Sequence, residues 1–223
     1  MPDLFANLAS VRPIVESLER RCLLASVLDL SFGEVGLAKH DLGRFVDIIP
    51  LPRERMLAFG ESGGAFGSTG QPLVGRIAVL RPDGTLDADF GGTGTRRISK
   101  FGVTAAAVQF DGKILLAGRS PGEDRIAVAR LNPDGSYDTT FGTRGVHVGA
   151  DLGTQPSASV AAITIVQGGK IQLIVQSNKP DGSSVQIDVF RYSANGKPDS
   201  TFGPGGRRLL VDSAVIHRPG SVT

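Results

Sequence analysis

Carboxylates that recur beside glycines are the first residues in this 223-residue chain whose types and spacing could do chemistry. In LNPDGSYD (131–138), Asn132, Asp134, Gly135 and Asp138 fall at the third, fifth, sixth and ninth offsets of a calcium loop of the EF type, where oxygen ligands must wrap a hard cation. The match stops there. The first offset is Arg130 and the twelfth is Phe141, where that loop needs an aspartate and a bidentate glutamate. In the related stretch at 80–94 a ligand position is taken by Arg81. His40, His147 and His217 lie 70 or more residues apart and share no metal-ligand spacing. No nucleophile elbow or H-E-x-x-H motif is read. The glycine-rich GESGGAFGSTG (60–70) lacks the Lys-Ser/Thr ending of a phosphate loop and reads as a connection between strands. These residues predict no catalytic set, no metal and no cofactor.

Composition narrows the classes further. Twenty-four Lys+Arg against 22 Asp+Glu leave a net charge of +2, and the basic doublets Arg96-Arg97 and Arg207-Arg208 read as solvated strand ends, so nucleic acid is not an expected partner. Thirty glycines and 13 prolines with no Trp imply many tight turns and an all-β fold. Cys22 stands alone, which excludes an intramolecular disulfide and a thiolate zinc cluster. No apolar run approaches the ~18–20 residues of a membrane-spanning helix. VAAITIV (160–166) has the length of a buried strand.

The elements that must hold the carboxylates repeat. Asp-x-x-Phe-Gly-x-x-Gly occurs four times, as Asp29, Phe32, Gly33, Gly36; Asp87, Phe90, Gly91, Gly94; Asp138, Phe141, Gly142, Gly145; and Asp199, Phe202, Gly203, Gly206. The Phe-to-Phe spacings are 58, 51 and 61 residues, close to the longer propeller blades. Within each period four strands are predicted. The first is an apolar run of small residues (45–51, 103–110, 160–166), and the second follows at once (55–60, 113–118, 170–175). Asp111-Gly112 and Gly168-Gly169 suit two-residue type I′ turns between them, whereas Arg53-Glu54 predicts a different turn. The third strand alternates (75–80, 125–131, 185–192): Ile126 and Val128 face one side, Ala127, Ala129 and Leu131 the other. A Pro-Asp-Gly or Ala-Asn-Gly turn, the Phe-Gly corner and a fourth strand (145–149, 207–211) complete one blade.

At each corner the Asp is placed to accept backbone N–H groups two or three residues on, the Phe to bury between blades, and the glycines to allow left-handed backbone. The corners therefore read as structural. The units 45–98, 103–149 and 160–211 are preceded by an orphan fourth strand near Gly36–His40, and the tail 212–223 reads as the start of a further unit. Three blades are fewer than the four to eight of closed propellers, so the expectation is an incomplete or open propeller-like array that self-associates or continues in a longer chain. Asp47 is the one carboxylate in a predicted innermost strand, aligned with Ala105 and Ala162. If that strand lines a channel, Asp47 is a candidate ligand or acid–base group; its occurrence in one unit of three favours a tolerated strand-end residue.

LNPDGSYDTTFGTRG (131–145), with FGVTAAAVQFDGKILLAGR (101–119), resembles the delta-60 repeat, a β-propeller-like repeat of bacterial secreted and surface proteins, over about residues 27–211. Residues 15–26, VESLERRCLLAS, resemble the LEPR-XLL motif of exported repetitive proteins, although Arg21 and Cys22 depart from its proline-containing form. The resemblance implies an export-related segment over 1–26, an extracellular or cell-surface location and no assigned catalytic residues. The expected function is a non-enzymatic structural or binding module, with a protein or glycan partner met by the loops 61–73, 119–124 and 177–183. The alternative is a propeller-type enzyme acting on glycans.

Overall fold

The computed structural model describes residues 29–40, 43–62, 74–120, 125–151, 158–178 and 184–214. The export-related segment, most of the glycine-rich loop, His217 and nearly all of the tail lie outside them. Among the described residues the protein is all-β, with three four-stranded antiparallel sheets in an open, propeller-like array. The first sheet holds β1 (Arg44–Pro50), β2 (Met56–Ser62), β3 (Val74–Leu80) and β4 (Thr95–Ile98). The second holds β5 (Gly102–Val108), β6 (Ile114–Ser120), β7 (Arg125–Leu131) and β8 (Val146–Asp151). The third holds β9 (Ser159–Val166), β10 (Lys170–Asn178), β11 (Ser184–Tyr192) and β12 (Arg207–Ala214). Strands neighbour one another in chain order in every sheet, as short connections require.

Two apolar layers join the sheets. Leu57, Phe59, Ile77 and Val79 of the first sheet meet Ile114, Leu116, Ala129 and Leu131 of the second. The other face of the second sheet presents Leu115, Ala117, Ile126 and Val128 to Ile171, Leu173, Val175 and Phe190 of the third. The two-residue alternation of β7 thus divides its side chains between both layers, with Ile126 and Val128 on one side and Ala127, Ala129 and Leu131 on the other. Each innermost strand carries a register shift, between Phe45 and Asp47, between Val103 and Ala105, and opposite Ile174 and Val175. A recurring bulge of this kind increases local twist where three sheets converge.

Four local expectations need correction. Arg53 and Glu54 both adopt left-handed φ, 64° and 57°, the backbone of a glycine-type tight turn without any glycine. Asp111-Gly112 does not form a two-residue turn: the Gln109 N–H donates to the Lys113 carbonyl (2.8 Å), and Gly112 alone in that loop takes positive φ. There the Asp111 carboxylate accepts the Lys113 N–H (3.2 Å), and Phe110 sits fully exposed at the tip instead of ending β5. No regular strand forms over Gly36–His40, where Glu34 and Leu37 make an isolated bridge. The Arg207 guanidinium is no solvated strand end, because it pairs through two nitrogens (both 2.9 Å) with the fully buried Asp188.

Left-handed backbone costs a non-glycine residue about 1–2 kcal/mol. Replacing Arg53-Glu54 with Asn-Gly is expected to raise the unfolding free energy by about 1–2 kcal/mol in urea titration, with the slope unchanged.

Candidate functional site: the Asp-Phe-Gly corner and the inner cavity

Each corner is wound by its own backbone first. The Asp138 N–H donates to the Arg130 carbonyl (2.9 Å), the Phe141 N–H to the Asp138 carbonyl (3.0 Å) and the Gly145 N–H to the Phe141 carbonyl (2.8 Å). Asp87, Phe90 and Gly94 repeat this pattern, bonding to Val79, Asp87 and Phe90 at 2.8, 2.9 and 2.8 Å. The Asp138 carboxylate accepts the amide and hydroxyl of Thr140 at 3.0 and 2.6 Å, and Asp199 accepts those of Thr201 at 3.1 and 2.6 Å. Asp29 treats Ser31 the same way, at 3.0 and 2.6 Å.

The buried corner carboxylates also share an arrangement that the sequence reading missed. Each is held between two cations, one at the head of the second strand and one at the end of the third. Asp87 meets Arg55 (2.9 Å) and Arg81 (3.3 Å); Asp138 meets Lys113 (3.3 Å) and Arg130 (2.8 Å); Asp199 meets Lys170 and Arg191 (2.9 and 2.8 Å). The signal was present as a basic residue at or just before the start of each second strand and another one to three residues ahead of each Pro-Asp-Gly or Ala-Asn-Gly turn. Burial alone would raise the Asp138 pKa, but Thr140, Arg130 and Lys113 outweigh it and hold the carboxyl well below the usual range. Thr201, Lys170 and Arg191 do the same for Asp199, and Arg55 leads for Asp87.

The Phe and first Gly of a corner act on the following unit. A Cβ placed on Gly84, Gly135 or Gly196, the glycines of the three Asx-Gly turns, would fall 3.1, 2.9 or 2.7 Å from the ring of Phe32, Phe90 or Phe141 respectively. Beside each ring the corner glycine donates to the turn's Asx carbonyl: Gly33 to Asp83 (2.7 Å), Gly91 to Asp134 (2.8 Å) and Gly142 to Asn195 (3.0 Å). Arg130 adds a bond across the same joint, to the Ala194 carbonyl at 2.6 Å. Phe90 and Phe141 are buried in this way. Phe202 has no such glycine among the described residues, and its ring lies between the guanidinium groups of Arg191 and Arg208 at 4.3 and 4.8 Å.

Asp47 lines a cavity of about 180 Å³ between the innermost strands, with Phe59, Thr104, Ala105, Ala162 and Ile163. Its carboxylate accepts the Ile48 N–H (2.8 Å), and the Thr104 hydroxyl is bonded to the Val160 carbonyl (3.0 Å). Among the described residues Asp47 is the one titratable side chain in that lining. The two described histidines are not brought together: His40 contacts the Gly84 carbonyl (3.0 Å), and His147 packs edge-on to Tyr192, where burial lowers its pKa. In the loop that resembled a calcium site, Asp134 binds Ser136 and Asp138 is held by its cations. One string escaped the sequence reading. Gly60-Glu61-Ser62-Gly63-Gly64 spells G-x-S-x-G; Ser62 ends β2, and among the described residues the next element is its antiparallel neighbour β3, with no helix of the kind a nucleophile elbow leads into.

A family model described as a domain of unknown function (DUF5122) beta-propeller matches residues 109–141. That stretch runs from the turn before β6 to the corner phenylalanine Phe141, so the chain is similar to a β-propeller repeat over β6, β7 and the corner that follows them. No curated protein and no solved structure matches the chain.

The depressed corner pKa values set a sign for acid sensitivity. A carboxylate whose folded pKa lies below its unfolded value of about 3.9 contributes stability that is fully present above that value and is lost as pH falls toward the folded pKa. Urea unfolding is therefore expected to show no loss from these groups between about pH 5 and 7 and a steep loss below about pH 4. Asp138→Asn is expected to lower stability at pH 7 by about 2–3 kcal/mol, short of a fully buried pair because Lys113 touches water, and to flatten the acid limb.

Proposed function

We propose that this chain is a non-enzymatic structural or binding module of an exported or cell-surface protein, built from repeats of the delta-60 kind. The observation that carries this reading is the use made of the recurrent carboxylates. Asp87, Asp138 and Asp199 are each buried and held between two cations of their own sheet, so the carboxylates that repeat in the sequence fix the corners that present the inter-blade phenylalanines. A group engaged in two ion pairs and pushed far from neutral pH is poorly suited to general acid–base work. The cavity between the innermost strands adds a single carboxylate, Asp47, whereas glycoside hydrolysis in its usual forms needs two. The delta-60 and LEPR-XLL resemblances support export. Recognition of a protein or glycan is assigned to the connections between second and third strands, which lie mostly outside the described residues; binding loops commonly ride on a rigid framework of this kind.

Screening the full chain on a glycan array and then assaying hydrolysis of the same sugars tests the reading. Binding without turnover is expected, and Asp47→Ala is expected to leave both binding and stability within about 0.5 kcal/mol of the parent. Turnover that Asp47→Ala abolishes would overturn it.

A further inference from the structure

The three Phe-on-glycine joints are a template, and among the described residues the fourth corner meets no turn that completes one. Phe202 is half-buried, and the Gly203 N–H donates to no other unit among the described residues. The matching receptor sits at the opposite end of the array. The Asp83-Gly84 turn of the first sheet is covered by residues 29–40, a corner whose own sheet is not among the described residues.

That cover fits loosely. It is held by the Gly33 N–H on the Asp83 carbonyl (2.7 Å), by the His40 ring nitrogen on the Gly84 carbonyl (3.0 Å) and by the Phe32 ring. Phe32 is only half-buried, whereas its counterparts Phe90 and Phe141 in the other joints are 1% and 0% exposed, and Leu30, Val35 and Leu37 around it remain 62%, 69% and 55% exposed. A cavity of about 550 Å³ lies against the turn, lined by Glu34, Leu37, His40, Asp83, Gly84 and Leu86.

We propose that two copies of this chain join head to tail, with the Phe202-Gly203 corner of one seated on the Asp83-Gly84 turn of the other, and that residues 29–40 are a strap which this contact displaces. The charges at the two ends are complementary. In the joint between the first and second sheets, Arg96, six residues after Phe90, lies 4.9 Å from the Tyr137 ring; the Ser136 hydrogen bonds chiefly lower the pKa of Asp134 in the receiving turn, and the Arg96 charge adds a minor share. Arg208 stands six residues after Phe202, and Asp83 is the counterpart of Asp134. The outer sheet faces are also prepared. Ile174 is 38% exposed on the third sheet at the position that Ala117 fills, fully buried, in the second; Val46 and Ile48 of β1 are 48% and 53% exposed on the first sheet. The three described sheets of two copies make six blades, within the four to eight of closed propellers, and a head-to-tail contact is the class that can close a ring.

Sedimentation velocity of the full chain over a concentration series tests this, with circular dichroism confirming that each variant is folded. A reversible two-copy species is expected. Phe32→Ala, which loosens the strap, is expected to tighten it about tenfold or more, and Arg208→Glu to weaken it about tenfold; adding Asp83→Arg to Arg208→Glu restores it. Association unchanged by Arg208→Glu would place the contact elsewhere and overturn the proposal, as would a Phe32→Ala chain that stays monomeric at every concentration. Neither failure bears on the glycan or protein ligand, because the loops assigned to recognition take no part in the contact.

Discussion

An aromatic ring laid on a glycine that has no room for a Cβ is the contact on which this architecture depends. It sets the distance between sheets, since only glycine lets the Phe90 and Phe141 rings come so close to the backbone of the following turn. It also sets their registration, because the neighbouring corner amide must find the turn's carbonyl at 2.8–3.0 Å. A buried phenylalanine brings on the order of 150–250 Å² of contact area, so each joint combines a large apolar contribution with a direction-specific bond. The apolar layers between sheets then fill the space that the joints define.

The charged pairs serve the same end one step removed. A corner can present its phenylalanine only if the chain turns sharply after the third strand, and the Asp that caps this turn is buried against the ends of the second and third strands. Burying a lone carboxylate would be costly, and two flanking cations offset that cost. Arg130 links the two devices, since its Nε pairs with Asp138 while its Nη1 reaches the Ala194 carbonyl of the next unit. Its guanidinium also covers the Phe141 ring at 4.8 Å. One side chain thus touches the capping carboxylate, the anchoring ring and the receiving turn.

Much of the fold was legible because it is written in short periods. The alternation in RIAVARL assigns each side chain of β7 to its layer, and the Asp-x-x-Phe-Gly-x-x-Gly strings mark the passage from third to fourth strand in each described sheet. Less legible was what a corner touches. Phe90 and Asp134-Gly135 lie more than 40 residues apart, and within one unit each turn stands close to a different corner, so local spacing points to the wrong pairing. The paired cations were hidden by their change of type, Arg55 giving way to Lys113 and Lys170. The Arg53-Glu54 turn was unreadable because those residues disfavour the backbone they adopt, and only the closing of β1 onto β2 imposes it. Asp47 was placed on an innermost strand by alignment alone, and it does line the inner cavity; its lack of a titratable neighbour there comes from residues on two other sheets.

Hydrogen exchange at the corner glycines examines the joint itself. If ring and turn lock adjacent sheets, the Gly91 and Gly142 amides exchange only in openings that expose the apolar layer beneath them, with protection close to that of amides in β6 and β7, while Gly203 exchanges much faster in dilute solution. Gly142 exchanging as fast as Gly203, with β6 and β7 still protected, would contradict the account.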